Sequence, residues 1–379
     1  MKILIDARFY GLENAGLGRY TMNLLKELAA IDKNNKYIIL LRKKYFNSLN
    51  LPDGWKSVLA DFRHYSLAEQ IKLPRIIYSE KPDLVHFLHF NSPGFFRGKF
   101  VVTIHDLIMH KQGRNASTLP LPLYLAKRLF YKYIFRHSVK SSVKIIVPSK
   151  FVKSQICQYY GTEEQKIIVA YEGLEEKMLS NVSYEGVREK YKLDSAYFIY
   201  AGNTYPYKNL ERVIEATVFL NQSLKKKVLF AIVSGRGVFL QRLEKSVAKL
   251  NAGKYVKLLG FVPDADLGAL YKGSVAFVYP SLSEGFGLQG LESIAAGTLV
   301  LASDIAVFKE IYADNVLYFN PYDFSSIVGS MKEALEMKPS VRIEIIKKGR
   351  EFIKKYSWAK MAQQTLKVYE DCYRLRQGK

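Results

Sequence analysis

Short apolar runs alternate along this chain with stretches in which apolar residues recur every third or fourth position. Lys2–Ile5, Tyr37–Leu41, Asp83–Phe87, Phe100–Ile104, Lys144–Val147 and Ile167–Ala170 have the length and β-branched content of buried strands. Between them, Gly16–Ala30, 67–80, Leu121–Phe135 and Phe151–Tyr160 carry helical spacing. A second series begins at Tyr197–Ala201 and continues through Val228–Val233, Val256–Leu259, Val275–Tyr279 and Val316–Phe319. The rest is helical, with Ser325–Leu335, Val341–Lys355 and Trp358–Leu375. Strand–helix alternation of this kind predicts parallel sheets covered by helices, an α/β chain. Glu175–Asp194 is polar with few apolar positions in register and marks a boundary. The expected domains are 1–185 and 186–355, followed by a helical segment 356–379.

The strand ends hold the candidate chemistry, because ligands of such sheets sit beyond the carboxyl ends of the strands. Val278–Ser303 reads as strand, glycine loop, helix, strand, with Leu288, Leu291, Ile294 and Ala295 at helical spacing until Gly297. Glu284 lies in the loop and Glu292 in the helix. N–H groups at Gly285, Phe286 and Gly287, placed at a helix start, suit an anion. Carboxylates beside such a cradle repel phosphate unless they turn toward hydroxyls, and a nucleoside-diphosphate sugar offers hydroxyls at both ends. His105 follows another strand, and Lys208, in the loop from Gly202 to Leu210, is a phosphate point charge at a helix start. The loop Gly11–Gly18 invites a dinucleotide reading, G-x-G-x-x-G. It fails, because Thr21 holds the third glycine position and the next strand runs into Arg42, Lys43 and Lys44 with no acid for a ribose. His64, His86, His89, His110 and His137 lack metal-ligand spacing and read as structural or acceptor-side.

The stretch SEGFGLQGLE resembles the E-x7-E signature of retaining GT-B glycosyltransferases of sequence family 4. The resemblance spans Lys2 to about Tyr373. It implies two Rossmann-like domains facing across a cleft, with the last helix crossing back to the first domain. It places Glu284 on the donor sugar's hydroxyls, the amides of Gly285, Phe286, Gly287 and Leu288 on the diphosphate, and Glu292 on the ribose. His105, in an H-D pair, would reach the donor sugar and diphosphate, and Lys208 the diphosphate. Asn203 stands where many members carry an Arg, and Glu172-Gly173 where Asn-Gly is more frequent. Gly16, Gly18 and Arg19 match a loop usually written G-G-x-G-R, with Ala15 replacing its first glycine. Val262 belongs to a segment lying along the nucleotide base. Asp264-Ala-Asp266 spells the D-x-D manganese motif of the other glycosyltransferase fold, but Asp264 after Pro263 reads as a helix N-cap, so no metal is expected.

The implied reaction is metal-independent transfer of a hexosyl group, mannosyl first, to a hydroxyl of a growing polysaccharide or lipid-linked glycan, with retention by front-face displacement. The donor by subgroup resemblance is GDP-mannose, with dTDP-rhamnose and UDP-hexoses behind it, and no further cofactor is implied. Two other classes compete. A nicotinamide oxidoreductase lacks its fingerprint; a non-catalytic membrane or nucleic-acid binder has no use for Glu284, Glu292, His105 and Lys208 together.

Charge changes the picture in one respect. The 379 residues carry a formal +22, and no acidic residue occurs between Asp106 and Glu163, where Lys111, Arg114, Lys127, Arg128, Lys132, Arg136, Lys140, Lys144, Lys150 and Lys153 lie. This is a solvated basic face, a nucleic-acid surface or a contact for anionic membrane. No nucleic-acid module is visible. Leucines and phenylalanines mixed with Lys127, Arg128 and Lys132 in Leu121–Phe135 favour the membrane, with Arg136 one turn on. No apolar run reaches membrane-spanning length and no signal peptide is read at Met1–Ile5, so the expected place is the cytoplasm, peripheral on the inner membrane face. Cys157 and Cys372 are too few and too far apart for a disulfide framework.

Overall fold

The computed structural model describes residues 1–111, 113, 117, 119–174, 183–235 and 237–374. Arg114, in the basic stretch, and 175–182, in the polar boundary segment, lie outside the described residues. The chain divides into two compact units, Met1–Gly173 with Tyr356–Lys379, and Leu174–Lys355.

The first unit runs β1 (Lys2–Asp6), α1 (Ala15–Ile31), β2 (Lys36–Leu41), α2 (Lys43–Phe46), β3 (Trp55–Leu59), α3 (Leu67–Glu80), β4 (Leu84–Phe87), β5 (Phe100–Thr103), α4 (Ile108–Lys111), α5 (Leu121–Ser141), β6 (Lys144–Val147), α6 (Lys150–Tyr160) and β7 (Ile167–Val169). Its strands form one parallel sheet ordered β3-β2-β1-β4-β5-β6-β7. Strand order reverses between β1 and β4, which opens a crevice past their carboxyl ends. The apolar runs are buried on both faces, as a covered parallel sheet requires. Helix α3 starts on Ser66, whose hydroxyl accepts from Glu69 N at 3.2 Å, while the Glu69 carboxylate reaches back to Tyr65 N at 2.7 Å.

The second unit runs α7 (Tyr184–Lys190), β8 (Ala196–Ala201), α8 (Leu210–Ser223), β9 (Val228–Val233), α9 (Val238–Lys249), β10 (Val256–Gly260), α10 (Asp264–Gly273), β11 (Ala276–Tyr279), α11 (Leu288–Ala296), β12 (Val300–Ser303), α12 (Ala306–Tyr312), β13 (Leu317–Phe319), α13 (Phe324–Glu336) and α14 (Pro339–Ile353). Its parallel sheet is ordered β10-β9-β8-β11-β12-β13, reversing between β8 and β11. Helix α7, which spans the expected boundary at 185/186, packs on α10 within this unit.

The last helix, α15 (Trp358–Arg374), belongs to the first unit and packs along α1. Trp358, Met361, Ala362, Thr365, Val368, Tyr369 and Cys372 make its buried stripe, at the spacing that turns one helical face inward. Through it, Tyr369 Oη meets His86 Nδ1 at 2.6 Å, and His86 Nε2 meets Thr103 Oγ1 at 2.8 Å. His86 is therefore structural. Burial, with a smaller contribution from His105, pushes it down to about 3. Among the described residues no helix is long and apolar enough to cross a membrane.

Candidate active site

The second unit brings two of the expected residues into contact. Lys208 sits in the loop after β8 and Glu284 in the loop after β11, so the strand-order reversal places both at one crevice. Both are buried, and the Lys208 ammonium donates to Glu284 Oε1. Asn209, in a left-handed conformation (φ 56°), turns the chain from Lys208 into α8. The rings of Tyr207 and Tyr279 lie 5.1 and 5.6 Å from the ammonium, adding cation–π attraction to the ion pair. Burial, reinforced by the Glu284 carboxylate, keeps the Tyr200 and Tyr279 phenols well above their ordinary range. They remain neutral donors, Tyr200 to the Asn203 carbonyl at 2.7 Å and Tyr279 to Gln289 Oε1 at 2.7 Å.

Helix α11 begins directly after this pair. Gly287 (φ 108°) starts it and Gly297 (φ 88°) ends it, both in the left-handed region that side chains resist. At Gly287 a Cβ would also come within 2.4 Å of Tyr312 Oη, which donates to the Gly287 carbonyl. Gly285, Phe286, Gly287 and Leu288, the residues whose N–H groups are expected to face the diphosphate, are buried in the turn, with Phe308 and Tyr312 of α12 against Gly287. Glu292 is buried one turn into the helix. Val262 is buried after β10, whereas the Asn203 side chain is exposed and its carbonyl is what the fold uses.

Asp264 does not cap α10. Pro263 takes that position, and Asp264 is the first helical residue. Asp266 accepts instead from Lys190 Nζ at 2.6 Å and Tyr191 Oη at 2.9 Å. Among the described residues no group of three or more His, Cys, Asp or Glu could hold a metal ion. Cys157 and Cys372 are free thiols.

In the first unit His105 follows β5. Its Nδ1 lies 3.3 Å from Glu172 Oε1 and its Nε2 3.0 Å from the Leu88 carbonyl, and the Tyr20 ring packs edge-on at 4.6 Å. The ring is held from three sides. Glu172, which follows β7, is the partner that sequence spacing could not supply. Of the loop glycines, Gly18 is buried with a prospective Cβ 1.9 Å from the Gly11 carbonyl oxygen, so it is required by packing. Gly16 is exposed with open space around it.

A further cluster, not anticipated from the sequence, fills the β1/β4 reversal. Arg8 Nε and Nη2 each donate to Asp6 at 2.7 Å, and Nη2 also reaches Glu69 Oε1 at 2.7 Å. Asn91 donates to the other Glu69 oxygen at 2.6 Å. Burial alone would raise the Asp6 carboxyl, yet the Arg8 guanidinium holds it below the ordinary carboxylate range.

Comparison with known proteins settles what this geometry belongs to. The second unit matches the family model "Glycosyl transferases group 1" over residues 185–352, and the first matches "Glycosyltransferase Family 4" over 15–177. The chain belongs to glycosyltransferase family 4. This glycosyltransferase is 29% identical to the O-antigen chain mannosyltransferase RfbU of Salmonella typhimurium, over 71% of this chain and 72% of that one. It is 25% identical to the O-antigen chain mannosyltransferase B of Escherichia coli, over 98% and 100%. The fold is shared with Anabaena HepE, solved in complex with UDP-glucose, at TM-score 0.74 and 16% identity over 98% and 100% of the two chains. The GT-B fold and glycosyl transfer follow, and the donor is a nucleotide sugar.

Proposed function

We propose that the protein transfers a mannosyl group from GDP-mannose to a hydroxyl of a growing polysaccharide or lipid-linked glycan, with retention and without a metal. The observation that carries this is the meeting of Lys208 and Glu284 directly before α11. A diphosphate arriving there competes for the Lys208 ammonium, which releases the Glu284 carboxylate toward the hydroxyls of the attached sugar. Lys208 and the amino end of α11 then meet the charge that develops as the bond from the anomeric carbon to the diphosphate oxygen breaks. The acceptor oxygen bonds that carbon from the same face, and its proton passes to the departing phosphate oxygen. Glu292 accepts from the ribose hydroxyls and Val262 lies along the base, while the family resemblance assigns Gly16 to the donor phosphates. The same resemblance assigns His105, fixed by Glu172 and Leu88, to the donor sugar and diphosphate. The mannosyl choice rests on the names of the O-antigen relatives.

The test is a panel of GDP-mannose, dTDP-rhamnose and UDP-hexoses, scored by thermal stabilisation and slow donor hydrolysis. GDP-mannose should give the largest response, and silence across the panel would remove the reading. Within it, Glu292→Gln should weaken free GDP by about tenfold or more, since charge-assisted bonds contribute roughly 1.5–3 kcal/mol. Glu284→Gln should lower turnover while free GDP binds at least as well, because Lys208 loses its competitor. Equal losses of GDP affinity in both would contradict the assignment.

We also propose that α5 rests on anionic membrane at the inner face. Leu121, Leu123, Leu125, Leu129 and Phe130 are exposed on it beside Lys127, Lys132 and Arg136, with Arg128 half-buried. Each such cation contributes on the order of 1 kcal/mol at an anionic surface in low salt. Vesicles with and without phosphatidylglycerol decide it: equal binding to both at every ionic strength would sink this placement, as would unchanged binding on replacing the four cations by Gln.

A further inference from the structure

An open pocket of about 460 Å³ lies at the C-terminal edge of the first sheet, within the roughly 300–1,000 Å³ of small-ligand clefts. None of the donor-site candidates lines it. Its walls come from the segments that follow β1, β2 and β3 and from the short turn before α1.

Three kinds of group face one another there. The first is cationic. Arg42 pairs with Asp61 at 3.4 Å and Lys44 with Glu13 at 3.1 Å, but all four side chains are more than a third exposed, so these pairs are weak and an incoming anion can replace the carboxylate. Lys43 is exposed between them. Arg8 also lines the pocket; its side chain is 1% exposed, and its Nη1 has no hydrogen-bond partner among the described residues. A buried guanidinium nitrogen left unsatisfied is costly and marks a place where a ligand acceptor would be bound.

The second group is aromatic. Tyr10 and Tyr45 meet edge to face at 5.1 Å, both half-buried, and offer ring surface on which the C–H face of a pyranose can lie. The third is the pair of carboxylates, Glu13 and Asp61, which accept from hydroxyls once their cations turn to an anion. Glu13 already accepts from Tyr45 Oη at 2.6 Å.

We infer that this pocket binds an acidic sugar unit of the acceptor glycan. The acid group lies against Arg42, Lys43 and Arg8 Nη1, the ring against Tyr10 and Tyr45, and the hydroxyls against Glu13 and Asp61. This deepens the transferase reading and rests on it for the word acceptor; the binding itself is measured without transfer.

Full-length protein is titrated with methyl glucuronide, glucose 6-phosphate, methyl glucoside and inorganic phosphate by saturation-transfer NMR and calorimetry. One or both sugar acids should bind saturably, at least about tenfold tighter than either the neutral glycoside or inorganic phosphate, and their order tells carboxylate from phosphate ester. The double variant Arg42→Gln/Lys43→Gln should lose about tenfold or more, Tyr45→Ala should also weaken binding, and Arg42→Lys should retain part of it. Thermal unfolding confirms that each variant is folded. The inference is overturned if inorganic phosphate binds as tightly as the sugar acids, if the double variant binds them like wild type, or if GDP displaces them, since the pocket would then belong to the donor. Stabilisation by a sugar nucleotide with no sugar-acid binding defeats this inference alone; a silent donor panel defeats the transferase reading instead.

Discussion

Each sheet reverses its strand order once, and at each reversal a buried cation meets carboxylate, but the two meetings are built differently. At β1/β4, Arg8 is gripped by two carboxylates, one of them tied down by Asn91 and a backbone N–H. At β8/β11, Lys208 has Glu284 as its carboxylate partner and otherwise faces the rings of two tyrosines. A guanidinium in a fork geometry holds its partners in place, whereas a lysine on a flexible stem can exchange one anion for another. Through Nε and Nη2 the first arrangement is suited to fixing a crevice, with Nη1 alone left over for a ligand, whereas the second is suited to exchanging its partner for a charged ligand.

The sharpest way to break this contrast is Arg8→Met. It strands two buried carboxylates and should cost roughly 3–5 kcal/mol in urea unfolding. A loss below about 1 kcal/mol would mean that the cluster does not hold the sheet. Lys208→Met strands one buried carboxylate rather than two, so it should cost less stability than Arg8→Met while lowering donor turnover by about 10²–10³, the usual effect of losing one preorganised charge partner. If it unfolds the protein as Arg8→Met does, the two sites are equivalent and the contrast fails.

Acid distinguishes the units more gently. All six histidines and both tryptophans lie in the first unit. His86 is pushed down to about 3, mainly by burial, and burial also keeps His89 well below its ordinary value. The unfolded chain then binds protons, from about pH 6.5 downward, that the folded unit refuses, so stability falls as pH falls through that window. Between pH 7 and 4.5 His86 alone should remove roughly 3 kcal/mol. Urea midpoints followed by Trp55 and Trp358 fluorescence read this directly, and an unchanged midpoint would show that buried neutral histidine is not what acid attacks.

The smallest effect belongs to the glycine loop. Gly18→Ala should destabilise by about 1–3 kcal/mol through collision with the Gly11 carbonyl. Gly16→Ala, in open space on α1, should stabilise by about 0.5–1 kcal/mol. Donor affinity should nonetheless drop in the second variant; unchanged affinity there would remove Gly16 from the donor site.

Much of the fold was legible because buried parallel strands are apolar on both faces and therefore read as runs. The criterion misses β3, Trp55–Leu59, because this edge strand has no fully buried residue and contains Lys56 and Ser57. It also passes over α9, whose only fully buried residue is Leu243. In the site, Lys208, Glu284, Glu292 and His105 could be picked out singly from strand-end position and motif. Their partners could not. Glu284 lies 76 residues from Lys208, and Glu172 lies 67 from His105, so pairing is decided by strand order, which periodicity does not encode. Glu69 on α3 was equally hidden, although Asp6 and Arg8 at the end of the first strand were a signal that sequence reading could have used.

The position of α15 has a consequence for synthesis. As the chain leaves the ribosome, the first sheet is finished at Val169, yet the helix that covers α1 and bonds His86 is separated from it by the whole second unit. At about 5–20 residues per second, those roughly 180 residues take on the order of ten to forty seconds. For that interval the nascent first unit exposes an apolar face and an imidazole deprived of its tyrosine, so translation is the stage at which this chain is most open to aggregation.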